Sequence, residues 1–487
     1  MSQPRSAPSA PSSLTDQTLQ LQMRQAQTRW WALLVLALAQ FLVVLDASVV
    51  NIALPSLGAA LHLDTAALSW VITAYVLPFG GLLLLGGRLA DRFGHRRVFL
   101  LGVLGFTLAS AAAGLAASGA WLLGARAVQG AAAALLAPAA LALVTRLFPQ
   151  PVERGKALGI WGAVAGIGSA AGVLLGGLLT ARYGWPAVFF VNVPVGALVL
   201  LALPRLVAAD PASGHTSLDL PGAFTVTGGL VALVAALTQA ERLGFTHPLP
   251  LLLVAAAVAL LALFVWIERR ITSPLVPFSV FRVGSVLPGN VAMLLIGGAS
   301  TGLFFALSVF MQRVLHDDAL TAGLTQLPLA GALVAAAGVV PALAGRLGER
   351  AALALSLLAM GAGLIWLAAA PENAHFTLHL LGPTLLIGSG LGGAFVTGTQ
   401  LAVAGVGERD AGLASGLINT SQQIGGAVGL ALLATLAAAR TGALSLQGAP
   451  AAWALTSGFH WAFLGAAAFA LLAALVVAAS RERTSAA

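Results

Sequence analysis

Asp46 and Arg126 are charged residues that lie inside long apolar stretches of this sequence. A charged side chain near the middle of a membrane costs about 2.5–3.5 kcal/mol or more unless it faces a cavity or a partner. A carboxylate in such a place can bind and release a proton, and a nearby guanidinium can compete with that proton for the carboxylate. The two residues therefore indicate proton binding coupled to a second event, a structural ion pair, or an aspartate whose side chain extends to the membrane interface.

The composition shows which elements must position these charges. Of the 487 residues, 59% are hydrophobic and 8% are charged, whereas about 25% of the residues of an ordinary soluble domain are charged. A water-soluble globular protein is therefore excluded. The apolar residues fall into fourteen segments, and about 20 such residues are enough to cross a bilayer as a helix. The segments lie near 31–53, 67–87, 97–116, 120–145, 157–181, 186–204, 220–239, 249–267, 285–311, 320–344, 351–370, 378–405, 411–438 and 457–479.

Basic residues are distributed unequally between the two sides of the predicted helices. Because the number of spans is even, both termini lie on one side, and nineteen of the 24 Lys and Arg residues lie there. The other side carries four, namely Arg182, Arg242, Arg313 and Arg440. The positive-inside rule predicts that the terminal side is cytoplasmic. With a rise of 1.5 Å per residue, Asp46 and Arg126 then lie about 8 Å and about 9 Å below the other face, at matching depth.

An internal repeat divides the chain. Residues 87–92 recur as 345–350, and residues 122–124 recur as 380–382, both at an offset of 258. Spans 1–6 and 9–14 are therefore predicted to be two parallel copies of one six-helix unit, an arrangement typical of transporters with a site between the halves. The predicted division is 1–29 as a disordered cytoplasmic tail, 30–206 and 285–480 as the six-helix halves, 207–284 as two inserted helices, and 481–487 as a cytoplasmic C-terminus.

Four motifs of the chain resemble those of the major facilitator superfamily, specifically its branch of fourteen-span drug:proton antiporters. Residues 45–55 look like the first-span motif of that branch, 87–97 like the superfamily's loop between spans 2 and 3, 126–130 like its span-4 motif, and 412–426 like span 13 of the branch. The resemblance covers essentially the whole chain after the tail. It implies a major-facilitator-like fold and proton-coupled export of small amphipathic or drug-like compounds by alternating access across a bacterial cytoplasmic membrane. One departure is Val173, which stands where the span-5 motif of the branch carries proline.

Asp46 and Arg126 are interpreted as the proton-coupling pair. A proton or a cationic substrate that arrives at Asp46 would release Arg126, and this competition could couple two fluxes. The residue at the position of Arg126 in the second half is Thr384, so the repeated unit does not itself require arginine there.

A conformational latch is expected at the short connection between spans 2 and 3. In the superfamily that this connection resembles, its acid and arginines bridge to neighbouring helices and hold one access state. Glycine residues there are expected to form tight turns. The latch residues are Gly87, Asp91, Arg92, Gly94, Arg96, Arg97 and Glu349, of which Glu349 is the counterpart of Asp91 in the repeat.

Two further groups of residues are assigned to helix packing and to a substrate cavity. Small residues at four-residue spacing allow helices to approach closely, and a hinge is the alternative interpretation of the glycines in span 5. The packing residues are Gly162, Gly166, Gly168, Gly172, Gly176, Gly425 and Gly429. Amides inside spans either line a cavity or join helices, because a buried amide without a partner is costly. The cavity candidates are Gln40, Asn51, Gln129, Asn192, Asn290, Gln400 and Asn419.

Several other functions are excluded or unsupported. The chain has no cysteine, which excludes disulfides and thiolate chemistry. It has no phosphate-binding loop and no His-Glu-x-x-His pattern, so neither an enzyme nor a metal or other cofactor is predicted. The net charge of +8 is spread over short loops, and nucleic-acid binding needs clustered basic residues. The predicted partners are a small-molecule substrate, protons and the lipid bilayer, and the chain is expected to act as a monomer.

Two alternatives to multidrug export remain open. One keeps the fold and assigns the export of a single metabolite or peptide. The other is a membrane receptor or scaffold that moves nothing, for which neutral residues in place of Asp46 and Arg126 would change no flux.

Overall fold

The computed structural model describes residues 12–208, 219–244, 246–272, 274–276, 278–282, 284–403 and 411–480. All regular secondary structure in these residues is helical, which confirms the predicted fold class. The fourteen long helices are α1 Ser12–Leu61, α2 Thr65–Phe93, α3 His95–Gly114, α4 Gly119–Leu147, α5 Pro151–Tyr183, α6 Ala187–Phe190 with Asn192–Leu206, α7 Leu220–Leu243, α8 Pro248–Glu268, α9 Val286–Arg313, α10 Ala319–Leu347, α11 Glu349–Leu367, α12 Leu381–Val403, α13 Ala411–Leu446 and α14 Ala451–Ala479. A π-helical turn, Phe376–Leu380, leads into α12.

Thirteen helices in the described part of the chain are long and apolar enough to cross a membrane. The helix outside this set is α5, which has 33 residues and packs along α1 and α10.

Side-chain caps define where several helices begin. Asp64 Oδ1 accepts a hydrogen bond from Ala67 N at 2.7 Å at the start of α2, and Asp318 Oδ1 accepts one from Thr321 N at 2.7 Å at the start of α10.

The first helix begins earlier than the sequence pattern predicts. α1 starts at Ser12, so residues 12–29, predicted to be part of a disordered tail, are helical. Residues 18–27 are mostly Leu, Gln, Met, Arg and Ala, which are good helix formers, and the helix of the apolar span can extend through them. Residues 1–11 and 481–487 lie outside the described part of the chain.

The bundle has two ends, which we call the terminal face and the opposite face. The terminal face is the end at which α1 begins and α14 ends. Arg96 Nη2 donates to Pro204 O at 3.2 Å there, which joins the start of α3 to the end of α6. Arg350 Nη1 donates to Ser480 O at 2.7 Å, which joins the start of α11 to the end of α14. The opposite face is the end at which α1 ends and α2 begins.

The six-helix repeat is visible in the helix pairs. In the first half, α1 packs on α5, α2 on α4, and α3 on α4. In the second half, α9 packs on α13, α10 on α12, and α11 on α12, which are the same pairs displaced by eight helices. The halves meet along α2 with α13 and along α5 with α10. The inserted helix α7 packs on α2 and α13 beside one of these seams, and α8 packs on α7.

Candidate functional site

Asp46 on α1 and Arg126 on α4 form an ion pair inside the first six-helix half. Arg126 Nη1 donates to Asp46 Oδ2 at 2.5 Å, and the two residues are 1% and 0% exposed. Asp46 Oδ1 also accepts hydrogen bonds from Gln129 Nε2 at 2.8 Å and from Asn192 Nδ2 at 2.9 Å. The carboxylate therefore has three donors, from α4 and α6, and no access to water in this conformation.

Arg126 is held by groups from three directions. Its Nε donates to Val71 O of α2 at 3.1 Å, and its Nη1 donates to Gln129 Oε1 at 2.7 Å. The guanidinium carbon lies 4.4 Å from the centre of the Tyr75 ring, a cation–π contact. Ser110 Oγ on α3 accepts hydrogen bonds from the same amide nitrogens of Gln129 and Asn192, at 2.8 and 2.9 Å. The network thus connects α1, α2, α3, α4 and α6.

The sequence of α4 explains how this network forms. Residues three apart lie on one helix face, so Arg126 and Gln129 point together toward Asp46. The next residue, Gly130, lies at a close approach of α4 to α2. A side chain there would overlap the backbone carbonyl of Tyr75. Glycine at 130 therefore lets the guanidinium reach the ring and the backbone of α2.

The pair is electrically neutral as a unit but costly to disrupt. Removing one member of a buried ion pair costs about 3–5 kcal/mol, because the other charge stays buried without a partner. Protonation of Asp46 would have a related effect, since a neutral carboxyl group attracts Arg126 much less strongly. A change in the charge of either residue would therefore weaken a network that joins α1, α2, α3, α4 and α6.

Four of the amides predicted to line a cavity lie in three different environments. Gln129 and Asn192 belong to the Asp46 network. Asn290 is buried and accepts a hydrogen bond from Ser421 Oγ at 2.9 Å, so it joins α9 to α13. Asn51 is half-buried at the opposite face, where its backbone oxygen accepts a hydrogen bond from Ser308 Oγ of α9 at 2.6 Å.

The remaining cavity candidates are more accessible. Gln40 and Gln400 are half-buried and Asn419 is exposed on α13. The Oε1 atom of Gln400 is buried without a hydrogen-bond donor among the described residues. A polar ligand would satisfy this atom, which keeps Gln400 a candidate for substrate contact.

The connection between α2 and α3 is a corner at Gly94. Gly94 has φ of 94°, a conformation that favours glycine, and it separates the two helices. The prediction that Gly87 also forms a turn is wrong, because α2 continues as a regular helix to Phe93. Asp91 and Arg92 accordingly lie on the last turn of α2, and Arg96 and Arg97 lie on the first turn of α3.

The corner contacts three neighbouring parts of the structure. His95 Nε2 lies 3.1 Å from Asp91 Oδ1, and its Nδ1 lies 2.9 Å from Arg146 Nη1 at the end of α4. Arg96 contacts the end of α6, as described above, and Arg88 donates to Pro274 O after α8. In the second half, the counterpart Glu349 is exposed in the first turn of α11, where a negative charge favours the helix.

The predicted packing glycines of α5 face α1. A Cβ atom at Gly168 would lie 3.3 Å from Val44 Cβ, one at Gly172 would lie 3.0 Å from Leu45 O, and one at Gly176 would lie 2.9 Å from Val49 O. These three glycines therefore form a continuous stripe on which α1 packs. Gly162 and Gly166 lie on the same helix.

The packing glycines of α13 face α9. A Cβ atom at Gly425 would overlap the backbone carbonyl of Leu294, and one at Gly429 would overlap Gly298. We expect Gly425→Ala to lower the melting temperature of the detergent-solubilised protein strongly, because overpacking against a backbone costs about 1–3 kcal/mol or more. Gly442→Ala on the same helix is the matched control, since a Cβ there meets no described atom within 4 Å. Equal melting temperatures for the two variants would contradict this packing.

The two halves are in contact at the opposite face along α5 and α10. A Cβ at Gly323 would lie 2.8 Å from Val173 O, and one at Gly177 would lie 2.7 Å from Ala319 O. Val334 lies about three turns further along the same face of α10, toward the terminal face, and is 45% exposed. A Cβ at Gly338 would meet no described atom within 4 Å. The halves are therefore closed at the opposite face and diverge toward the terminal face on this side.

Some members of the site have no distinctive sequence signal. Ser110 and Tyr75 take part in the Asp46 network, but hydroxyl-bearing residues occur in many helices and their partners depend on tertiary packing. The hydroxyl of Tyr75 is buried without a hydrogen-bond partner among the described residues. Among all the residues that the structure describes, no group of three or more His, Asp or Glu side chains could hold a metal ion.

Comparisons with known proteins give the family. The family model for the Major Facilitator Superfamily matches residues 36–430. The chain is 42% identical over 464 residues to the puromycin resistance protein pur8 of Streptomyces alboniger, covering 92% of this chain and 90% of that protein. It is 42% identical over 459 residues to the cephamycin export protein CmcT of Amycolatopsis lactamdurans, covering 93% and 92%.

A solved structure shares the fold. The crystal structure of an auto-inhibited peptide transporter of the POT family superposes with a TM-score of 0.68 at 18% sequence identity, covering 93% of this chain and 96% of that one. The helix pattern, the repeat and the extent of the sequence matches agree with one another. The chain belongs to the Major Facilitator Superfamily and is a membrane transporter rather than an enzyme.

Proposed function

We propose that this protein exports small amphipathic, drug-like compounds across the bacterial cytoplasmic membrane in exchange for protons, by alternating access. The observation that carries the proposal is the buried Asp46–Arg126 pair, with its ion pair at 2.5 Å and its amide donors from two helices. A charge pair buried this deeply is costly to maintain, and reversible protonation of its carboxylate gives it a use. The names of the resistance and export proteins at 42% identity support the choice of drug-like substrates.

The geometry of α1 suggests how a proton at Asp46 changes access. Asn51 lies five residues after Asp46 on the same helix, and its backbone oxygen accepts the hydrogen bond from Ser308 of the second half. Gln312 Nε2 donates to Ile52 O at 3.0 Å beside it. A movement of α1 on protonation of Asp46 would loosen both contacts and open the opposite face, while the terminal face closes.

The orientation and division of the chain are part of this proposal. The terminal face is cytoplasmic and both termini lie there, as the distribution of basic residues favours. Residues 30–206 and 285–480 move against each other, residues 207–284 accompany them, and one chain is sufficient. The corner at Gly94 acts as the latch. Asp91 and Arg146 of α4 both contact His95, while Arg96 contacts α6 and Arg88 contacts the segment after α8.

A second candidate is the export of one specific metabolite. The similar proteins named above are each named for a single antibiotic, and this favours a dedicated exporter. The charge of Asp46 does not distinguish a dedicated exporter from a multidrug exporter, because Arg126 neutralises Asp46 and both residues are buried in this conformation.

Drug tolerance of a sensitive bacterial host distinguishes the two candidates. We expect that expression of the protein raises the inhibitory concentrations of several unrelated compounds, with ethidium, puromycin and a cephamycin as the test set. The control is the same host with the Asp46→Asn variant at equal membrane abundance. A rise for one compound alone supports the dedicated exporter, and no rise for any compound with intact protein in the membrane contradicts drug export.

A further inference from the structure

Pro55 interrupts the hydrogen bonding of α1 where the two halves meet at the opposite face. α1 runs from Ser12 to Leu61 with Pro55 inside it. In an α-helix each backbone oxygen accepts a hydrogen bond from the N–H group four residues later, and proline has no N–H. The backbone oxygen of Asn51 therefore lacks its usual donor within α1. In a straight helix the proline ring would also collide with this oxygen.

A side chain of the second half donates to this oxygen. Ser308 Oγ of α9 donates to Asn51 O at 2.6 Å, and Ser308 is 0% exposed. The side chain of Asn51 is directed elsewhere, since its Nδ2 donates to Ala47 O of α1 at 2.7 Å. Gln312 Nε2 donates to Ser308 Oγ at 3.3 Å and to Ile52 O at 3.0 Å. The backbone of α1, rather than a side chain, therefore supplies the acceptors that join the halves here.

The internal repeat does not duplicate this arrangement. At the repeat offset of 258, Pro55 corresponds to Arg313 of α9, and Ser308 corresponds to Val50 of α1. The first half therefore contributes the acceptor and the second half contributes the donor. Since each copy of the six-helix unit lacks one of the two residues, the fold of the unit requires neither the proline nor the serine. Their contact between the halves calls for a different explanation.

We propose that Pro55 is a positioning residue for closure of the opposite face, because it leaves on α1 a backbone acceptor that Ser308 fills only when the halves meet there. When this face opens, water can donate to Asn51 O instead. Exchanging that water for Ser308 is expected to favour the closed state by about 2-fold to 12-fold, a contribution small enough to be reversed in each cycle. The inference rests on the alternating access of the proposed function, and it does not depend on proton exchange at Asp46.

Maleimide labelling of one introduced thiol in the detergent-solubilised, full-length protein tests this role. The reporter is Thr180→Cys, since the chain has no cysteine and Thr180 is 7% exposed. Thr180 lies on the face of α5 that carries Gly177, which contacts α10, so separation of the halves would expose it. Pro55→Ala and Ser308→Ala are each expected to speed labelling about fivefold. The double variant should label about as fast as either single variant, because both changes remove the same hydrogen bond.

Pro138→Ala is the matched control. Pro138 lies inside α4, and the oxygen that it leaves without a helix donor, Ala134 O, faces Gly86 of α2 within the same half. Its labelling rate is expected to stay within about twofold of the rate of the reporter alone. Alanine favours a helix more than proline does. If Pro55 had only a structural role, Pro55→Ala would therefore keep or raise the melting temperature and would not speed labelling.

Two results would overturn the proposal. One is an unchanged labelling rate in Pro55→Ala, and the other is a double variant in which the effects of Pro55→Ala and Ser308→Ala multiply. If Pro55→Ala fails to accumulate, Pro55→Leu takes its place, because leucine also restores the N–H group and favours a helix. Ethidium export by the wild type is measured separately. The expected labelling pattern without any export would contradict the proposed function and leave the role of Pro55 in place.

Discussion

Replacing Asp46 by asparagine is expected to abolish proton-coupled export and to destabilise the protein, whereas adding Arg126→Gln restores stability without restoring export. In the single variant, Arg126 remains buried with its charge unpaired, at a cost of about 3–5 kcal/mol. In the double variant, two neutral amides occupy the site and can hydrogen-bond to each other and to Gln129. The carboxylate that would take up the proton is absent from both variants.

The double variant separates coupling from structure. If the pair only stabilises the bundle, the double variant should fold and export normally. If the pair couples protons to substrate, the double variant should melt near the wild-type temperature and still confer at least about tenfold less drug tolerance, as a barrier change of about 1.4 kcal/mol would produce. Asp64→Asn is the control, since Asp64 is an exposed helix cap and asparagine caps equally well. Normal export by a stable double variant would leave the structural interpretation of the pair.

Introducing leucine at Gly323 is expected to hold the transporter open at the opposite face and to stop export. A Cβ at this position would lie 2.8 Å from Val173 O, so a larger side chain forces α10 away from α5 where the halves meet. Overpacking of about 1–3 kcal/mol at a contact that exists in only one state shifts the equilibrium between two states by about 5-fold to 150-fold. Gly338→Leu on the same helix is the control, because a Cβ there meets no described atom within 4 Å.

Access to the opposite face can be measured with one introduced thiol. The chain has no cysteine, so Gln312→Cys at the closed contact provides a single reporter. In intact cells, a membrane-impermeant maleimide should label this thiol at least about five times faster with Gly323→Leu than with Gly338→Leu. Equal labelling rates, together with full export by Gly323→Leu, would mean that the α5–α10 contact is not part of the access cycle.

Features that depend on the order of the segments along the chain and on helix rise could be predicted from the sequence. The fold class follows from the number and length of the apolar segments, and the offset repeat follows from the matching residues 258 positions apart. The matching height of Asp46 and Arg126 follows from the span boundaries, because each residue advances a helix by a constant 1.5 Å. The glycines at 425 and 429 were recognisable as a packing face for a similar reason, since four-residue spacing keeps them on one side of α13.

Two kinds of feature could not be predicted from the sequence. They are the direction in which a side chain points once its helix is packed, and the distance that a helix continues beyond its apolar segment. Gln129 and Asn192 were grouped with cavity residues, and the structure turns both toward Asp46 because α3, α4 and α6 pack there. The extension of α1 to Ser12 and the helical state of Gly87 depend on how far a helix continues beyond its apolar span.

The most direct test of the central claim is proton movement in proteoliposomes. Wild-type protein and Asp46→Asn are reconstituted at equal density under an imposed pH gradient, and proton flux is recorded when ethidium or puromycin is added. Proton exchange through Asp46 predicts substrate-induced proton movement in the wild type and none above the protein-free background in Asp46→Asn. Equal substrate-induced proton movement in the two proteins would contradict the assignment of Asp46 as the coupling residue.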